Sequence, residues 1–322
     1  MDRKYYIKIF APREGDRYGN FFVYIPAGEG AYAQYRFVYM NNPPKDGLGF
    51  SEGPNDPANC EFYRVREAYI GRLSGETFTP SFRALQGGEI GFAFCEKGAG
   101  DFCGGFHGDE VMTSVGLKLD GKEVDLGEQS FRSFDTFEFS EESYIYRCNT
   151  PDLRLVLHRQ KYTVERGALM LSQYIEWVND ALPLVAAYSP MLTVQRLDPA
   201  DTSRVITDRV EFFDREGGLL LKTFDTSEYG EILGNEFSKS VCRDTPATAV
   251  RVFGEKSGFC AECGYSVADG SIAKEQIDTH LCLRFAKCLD NKIYFNIGKN
   301  TVPKAGTVWK SDIFYRLKYD LK

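Results

Sequence analysis

The sequence predicts an all-β protein, a large antiparallel β-sandwich or supersandwich with few short helices. Three observations predict this class: 14% of the 322 residues are aromatic, 31 are glycine, and strand-like segments recur along the chain. Aromatic and β-branched side chains favour pleated, half-buried surfaces, and glycine permits the tight turns between strands. Hydrophobic (43%) and charged (26%) residues occur in ordinary globular proportions, which excludes a mainly disordered, collagenous or coiled-coil chain.

Runs of β-branched and aromatic residues, separated by turn residues, define the expected strands. In chain order they cover residues 35–40, 89–95, 111–119, 136–139, 143–147, 152–164, 168–178, 184–196, 205–213, 249–253, 280–285, 292–296 and 307–317. We find no internal repeat and no linker rich in Pro, Gly or Ser. We therefore expect residues 1–322 to form a single domain.

Turn residues lie between these strands. Asp120-Gly121 suits the positive φ angles of a type I′ turn and predicts a two-residue hairpin. Residues 215–218 have the composition of another turn, and residues 47–57, rich in Gly, Pro, Asn and Asp, predict an irregular loop. Residues 58–73 are ambiguous. Pro57 suits a first helical position and Phe62, Val65 and Tyr69 fall near helical spacing, which slightly favours a helix at the start of this segment.

The two longest expected strands, 152–164 and 168–178, exceed the usual five or six residues. We interpret Glu165-Arg166-Gly167 as a three-residue loop with Gly167 in the left-handed conformation, which pairs Val164 with Ala168. This register places one set of polar and aromatic side chains on a single face: Arg154, His158, Gln160, Tyr162, Ser172, Tyr174 and Glu176. It places the leucines, Ile175 and Trp177 on the other face.

The polar face of this hairpin combines hydrogen-bonding groups with flat rings. Sugars need both, because their hydroxyls bind polar groups and their C–H faces stack on aromatic rings. A carbohydrate is therefore the expected partner. The alternative is that this is simply the solvated face of an antiparallel sheet.

A glycine-rich segment at 101–110 contains one of only three histidines, His107, shortly before Glu110 and an expected strand. Glycine allows close backbone approach, and a histidine near a carboxylate suits proton transfer near neutral pH. This is the strongest candidate site in the sequence. The alternative is that His107 and Asp109 cap turns in a tight loop.

Charge and hydropathy limit the class of partner. The net charge is −7 with no long basic run, which argues against a nucleic-acid partner. No segment approaches the roughly 18 apolar residues of a membrane helix, and residues 1–10 lack the apolar core of a signal peptide. We therefore expect no membrane partner and a cytoplasmic location.

The nine cysteines suggest reduced, structural thiols rather than a disulfide framework. Cys260 and Cys263 form a lone C-x-x-C. With Cys282 and Cys288 they offer a four-thiolate zinc site, but the second pair has the wrong spacing. A set of His107, His158 and Glu110 has no supporting spacing either. We expect no metal and no cofactor.

The C-terminal segment contains Pro303-Lys304-Ala305-Gly306, Trp309 and Phe314-Tyr315-Arg316-Leu317, and His280-Leu281-Cys282-Leu283-Arg284 lies upstream. In these residues it resembles the end of the galactose mutarotase-like superfamily. The resemblance covers about the last 45 residues and implies a β-supersandwich. Arg284 stands where the family carries its catalytic glutamate, which puts simple mutarotation in doubt and suits a carboxylate ligand instead.

The resemblance implies a carbohydrate-active protein, and a glycan-cleaving enzyme is the leading hypothesis. In a lyase, Tyr162 or His158 would take the proton beside a uronate carboxylate. Arg284 or Arg154 would neutralise that carboxylate. The candidate catalytic residues are thus His107, Glu110, His158 and Tyr162, and the candidate substrate-binding residues are Arg154, Gln160, Tyr174, Glu176 and Arg284.

Three alternatives stay open. In a hydrolase, Glu110 and Glu176 would flank the scissile bond. In a non-catalytic carbohydrate-binding or structural protein the aromatic face suffices. In an epimerase, His107 would act with another carboxylate such as Glu262.

Overall fold

The computed structural model describes residues 4–42, 59–86, 90–214, 218–226, 238–242, 247–267, 271–272, 277–282 and 290–320. These residues form 23 strands, β1 to β23. In chain order they are Tyr5–Ile9, Phe21–Gly28, Ala31–Asn42, Cys60–Ser74, Thr77–Leu85, Ala93–Glu96, Glu110–Leu119, Lys122–Glu123, Ser130–Phe134, Phe137–Arg147, Thr150–Glu165, Ala168–Trp177, Leu184–Gln195, Leu197–Asp198, Asp201–Val205, Arg209–Asp214, Leu219–Asp225, Ser238–Ser240, Ala249–Phe253, Phe259–Val267, Asp278–Cys282, Asp290–Asn296 and Val308–Tyr319. A 3₁₀ helix covers Gly105–His107.

The all-β prediction is confirmed. No helix within the described ranges is long and apolar enough to cross a membrane. Among the described strands, every pairing except the short parallel contact of β4 with β7 is antiparallel.

Most of the described strands form three connected sheets, and β14 pairs with β15 in a separate two-stranded sheet. The first sheet has the order β9-β1-β2-β3-β4-β5. The second has the order β7-β10-β11-β12-β23-β20-β19-β16-β17. The third continues from β5 through β13, β22, β21 and β18, and β6 pairs with the beginning of β13. The pairing of β4 with β7 connects the first sheet to the second, and the pairing of β5 with β13 connects the first sheet to the third.

Aromatic rings fill the space between the first two sheets. Phe37 of β3 meets Tyr162 of β11 with ring centroids 5.1 Å apart, and Phe21 of β2 meets Phe139 of β10 at 5.0 Å. All four rings are buried. A Phe side chain buried in this way contributes about 1.5–3 kcal/mol from apolar burial. The core therefore lies between opposing sheet faces, as the sandwich prediction requires.

The hairpin predicted at Asp120-Gly121 is confirmed. Leu119 pairs with Lys122, and the two turn residues have φ angles of 51° and 74°. Both angles are positive, as a type I′ turn requires, and Asp and Gly tolerate them. The loop predicted at 47–57 and residues 215–217 of the second predicted turn lie outside the described residues.

The helix favoured near residue 58 is wrong for the described part of that segment. Cys60–Ser74 is one 15-residue strand, β4. A register shift against β3, between Arg36 and Phe37, changes its alternation midway. Phe62 and Val65 both precede this shift and lie on opposite faces of the strand, yet both are buried. Burial on two faces therefore produced an apparently helical spacing.

The predicted register of the long hairpin is wrong by one residue. Glu165 pairs with Ala168, so the loop is the two residues Arg166-Gly167, with φ angles of 48° and 75°. His158 consequently lies opposite Ile175. Cross-strand partners share a face, so a shift of one residue reverses which residues of β12 accompany those of β11.

The new register separates the predicted polar face into two groups. His158, Gln160 and Tyr162 point inward and are buried, on the same face as the leucines of β12. Tyr174 and Glu176 lie on the opposite, outer face, where Tyr174 pairs with Arg159. The expectation that all five side chains share one face is therefore wrong.

Candidate functional site

Four ionisable side chains meet between the sheets: Arg64, Glu110, Glu141 and His158, each at most 3% exposed. Arg64 donates hydrogen bonds to Glu110 and, at 3.0 Å, to Oε1 of Glu141. Nδ1 of His158 donates to Oε1 of Glu110 at 3.0 Å. Adjacent strands β4, β7, β10 and β11 supply one residue each, which explains why these groups converge.

The charges of this buried network compensate each other. Burial raises the pKa of Glu110, but Arg64 and His158 outweigh it and hold that pKa well below the usual range. Burial lowers the pKa of His158 and raises that of Glu141 to about 7. At neutral pH the network therefore contains an Arg64–Glu110 ion pair beside a neutral imidazole.

The side chains of the network are almost fully buried, although Glu141 and Gln160 border an open groove of the second sheet. Tyr162 is 1% exposed, and its hydroxyl donates to Oε1 of Gln160 at 3.0 Å. Gln173 contacts the other ring nitrogen of His158 and accepts a hydrogen bond from Ser189. Buried polar groups are normally satisfied in this way. Glu110, His158, Tyr162 and Gln160 thus make internal hydrogen bonds, and the roles expected of them at a sugar site stay predictions.

The outer face of the second sheet holds Arg154, Tyr174 and Glu176. The hydroxyl of Tyr174 donates to Glu176 at 2.9 Å, and Arg159 lies 5.1 Å from the ring centroid of Tyr174. Beside them is an open groove of about 490 Å³. Its charges are paired within the face, for example Arg159 with Glu142 at 2.6 Å. This arrangement is typical of a solvated sheet face.

The loop that carries His107 is closed at its base. The backbone N–H of Gly104 donates to the carbonyl of Gly108 at 2.9 Å, around the 3₁₀ turn. Gly104 has a φ of 76°, and a Cβ there would lie 2.9 Å from the carbonyl oxygen of Phe92. Glycine is therefore required at position 104. His107 lies on the same loop, and its side chain is 37% exposed.

His107 belongs to a row of rings that crosses from this loop to the third sheet. Its centroid lies 5.0 Å from that of Phe102, which stacks on Tyr188 at 5.5 Å. Tyr188 in turn contacts His280 at 6.3 Å and Tyr294 at 4.9 Å. We name these five residues the aromatic–histidine cluster. They come from the 101–108 loop, β13, β21 and β22.

Each histidine of the cluster has its own carboxylate. Nδ1 of His107 lies 3.5 Å from Asp101, and Nε2 of His280 lies 2.8 Å from Oδ2 of Asp278. Burial raises the pKa of Asp278, but hydrogen bonds from His280 and Ser240 lower it to about 2. The hydrogen bond with His107 lowers the pKa of Asp101. Both carboxylates are therefore ionised at neutral pH and orient the imidazoles.

Two lysines border the cluster. Nζ of Lys292 donates to the hydroxyl of Tyr294 at 3.4 Å, from two residues away on β22. Nζ of Lys299 lies 3.5 Å from Asp278. These cations give the cluster groups that can attract an anionic ligand in addition to its aromatic faces.

The sequence pattern points to His107 but gives no catalytic role to His280, Asp278, Tyr188 or Tyr294. The available signal was residues two apart, which share a face in a strand: Asp278 just before an expected strand with His280 at its start, and Lys292 with Tyr294 inside another. Nothing in the sequence brings these pairs to the His107 loop. Arg284, which was expected to bind a carboxylate, lies outside the described residues.

No family model and no curated protein matches the sequence. Among solved structures, the chain is similar to a galactose 1-epimerase from Lactobacillus acidophilus, with 9% identity, a TM-score of 0.44, and coverage of 99% of this chain and 100% of that one. The chain is also similar to an aldose epimerase homologue from C. elegans, with 13% identity and a TM-score of 0.40. The match covers 93% of this chain and 99% of that one. A third similar structure is the galactosidase domain of alpha-galactosidase-sucrose kinase AgaSK, with 9% identity and a TM-score of 0.46. The match covers 97% of this chain but only 42% of that one.

These structures are of the kind expected from the C-terminal resemblance. Identities and TM-scores at this level do not transfer an activity to the chain.

Proposed function

We propose that this protein is a carbohydrate-active enzyme that moves protons on a sugar bound at the aromatic–histidine cluster. The observation that carries the proposal is a pair of histidine–carboxylate units, His107–Asp101 and His280–Asp278, at the two ends of a row of contacting rings. The partly exposed rings of Phe102 and Tyr188 supply faces on which a sugar can stack, and the imidazoles can donate and accept protons.

The described geometry favours proton transfer by imidazole over hydrolysis by two carboxylates. A glycosidase needs one protonated carboxylic acid, whereas the pKa values of Asp101 and Asp278 are both lowered. The pair expected for hydrolysis, Glu110 and Glu176, is divided between the buried network and the outer face. Neither pair of carboxylates suits that mechanism.

Among proton-transfer reactions, the lysines support β-elimination in a uronate-containing glycan. An imidazole, His280 or His107, takes the proton from the ring carbon next to the carboxylate. The electron pair left behind forms a C=C bond to the neighbouring carbon, whose bond to the glycosidic oxygen breaks. The hydroxyl of Tyr294, which accepts a hydrogen bond from Lys292, gives its proton to the leaving oxygen. Atoms and charges balance once the proton on the histidine passes to water and Tyr294 is reprotonated.

The test is to incubate the purified protein with pectate, alginate and glycosaminoglycan oligosaccharides and follow the ultraviolet absorbance of the conjugated C=C bond. We expect absorbance to rise with at least one substrate and to be lost in Tyr294→Phe. The matched control is Tyr174→Phe on the outer face, which should keep full activity. Failure of every substrate would contradict the proposed elimination. Accelerated mutarotation of neutral aldoses in polarimetry, without elimination, would likewise overturn β-elimination as the reaction.

A further inference from the structure

Three metal-ligating side chains meet at the base of the His107 loop. The Sγ atoms of Cys103 and Cys148 and a carboxylate oxygen of Asp109 all lie within 4.8 Å of one another. The three residues are 0%, 7% and 1% exposed, respectively. None of them belongs to the aromatic–histidine cluster or to the buried Arg64 network. Cys103 and Cys148 lie in the hydrophobic core, and Asp109 places a buried carboxylate beside them. Thiolates favour soft metals such as zinc.

Their positions in the fold connect two separate segments. Cys103 and Asp109 immediately precede and follow residues 104–108, and the bond between Gly104 and Gly108 holds the loop ends together. Cys148 lies in the turn between β10 and β11. An ion bound to all three side chains would therefore tie the loop that carries His107 to that turn.

The carboxylate of Asp109 has no cationic partner among the described residues. It accepts hydrogen bonds from Nδ2 of Asn59 at 2.9 Å and from the backbone N–H of Asn149 at 3.3 Å. The nearby buried carboxylate of Glu96 is instead paired with Arg147 at 2.8 Å. Buried carboxylates are usually paired or coordinate a metal, so Asp109 is the one whose charge a bound cation would compensate.

The thiols and a neighbouring amide fit the same interpretation. The Sγ atoms of Cys103 and Cys148 lie close enough to each other and to Asp109 to bind one ion, and the thiolate is the form of cysteine that binds metals. Oδ1 of Asn149, the residue after Cys148, is buried and has no hydrogen-bond partner among the described residues. That oxygen is a candidate for a fourth ligand, with water as the alternative.

We propose that Cys103, Cys148 and Asp109 bind one Zn²⁺ ion. Zinc accepts mixed thiolate and carboxylate ligands in a tetrahedral site. Binding displaces one proton from each thiol, and these two protons pass to the solvent. The ion then fixes the base of the 103–109 loop and, through it, the position of His107. The site does not depend on the proposed function.

The test uses the full chain, reduced with a phosphine and stripped with a chelator, then given zinc chloride and desalted. We expect one zinc per chain by mass spectrometry of the metal, and a melting temperature raised by about 3 °C or more at saturating zinc. Cys148→Ser and Asp109→Asn should lose both effects. Cys260→Ser, which removes a partly buried thiol from β20, should keep both.

Cobalt(II) provides an independent measurement, because thiolate ligands give it intense charge-transfer absorption. Wild type should show this absorption, and Cys148→Ser should show much less. Three results would each overturn the proposal. They are less than stoichiometric zinc in the reduced wild type, equal zinc in wild type and Cys148→Ser, and a Cys103–Cys148 disulfide in a chain that binds no zinc after reduction. Circular dichroism of each variant verifies that it is folded.

Discussion

Nε2 of His280 donates a hydrogen bond at 2.8 Å to Oδ2 of Asp278, two residues earlier on the same strand. Strand alternation places both side chains on one face, and Ser240 of the neighbouring strand donates to the other carboxylate oxygen. This hydrogen bond fixes the orientation of the His280 ring. We therefore expect His280 to exchange a proton with substrate from this fixed orientation.

The first prediction concerns the two histidines of the cluster. His107→Ala and His280→Ala should each lower kcat by about 10²–10⁴-fold, the usual contribution of a positioned acid or base. His107 is partly exposed on a loop, so its replacement should leave the melting temperature almost unchanged. Steady-state kinetics and thermal unfolding of both variants check this. Full activity of either folded variant would remove that histidine from the mechanism.

The second prediction concerns pH and Glu141. Its pKa is about 7 when folded, against an ordinary 4.5, so the folded chain binds more protons than the unfolded chain between these values. The contribution of protonated Glu141 to the free energy of unfolding is fully present below about pH 4.5. It is lost as pH rises through about 7. The loss is at most about 3 kcal/mol.

Urea unfolding at pH 5.5 and pH 8 measures this effect. Glu141→Gln cannot ionise, so its free energy of unfolding should fall less than that of wild type between the two values. An equal fall in both proteins would show that Glu141 does not titrate as expected.

The third prediction concerns the cation of the buried network. Arg64→Met leaves Glu110 and Glu141 without their guanidinium partner and should reduce the free energy of unfolding by about 3–5 kcal/mol. Arg159→Met is the matched control, because it removes an exposed pair with Glu142 and should cost less than about 1 kcal/mol. Denaturant titration compares the two. Similar small losses would mean that the network contributes little to stability.

The fourth prediction concerns the turn between β11 and β12. Arg166 has a φ of 48° and Gly167 a φ of 75°. Asn tolerates the left-handed conformation better than Arg, so Arg166→Asn should stabilise the protein by a few tenths of a kcal/mol. Gly167→Ala should destabilise it by about 1–2 kcal/mol. Melting temperatures that move in the opposite directions would contradict the left-handed conformation of these two residues.

The sequence by itself determined the strand content, the Asp120-Gly121 hairpin and the presence of a long central hairpin. These features depend on neighbours along the chain: β-forming composition, turn residues with positive φ, and a long run of strand-forming residues. The glycines around His107 likewise predicted a tight loop, which the close approach of Gly104 to Phe92 explains.

Only the tertiary structure decided which side chains are buried and which meet. His158 and Gln160 look like surface residues, yet the partners that permit their burial, such as Glu110 and Gln173, come from neighbouring strands. A left-handed Arg166 shortened the turn by one residue and reversed the pairing of faces. His280 joins His107 through Tyr188 and Phe102. Such contacts depend on long-range packing, because a side chain's burial is set by partners far away in sequence.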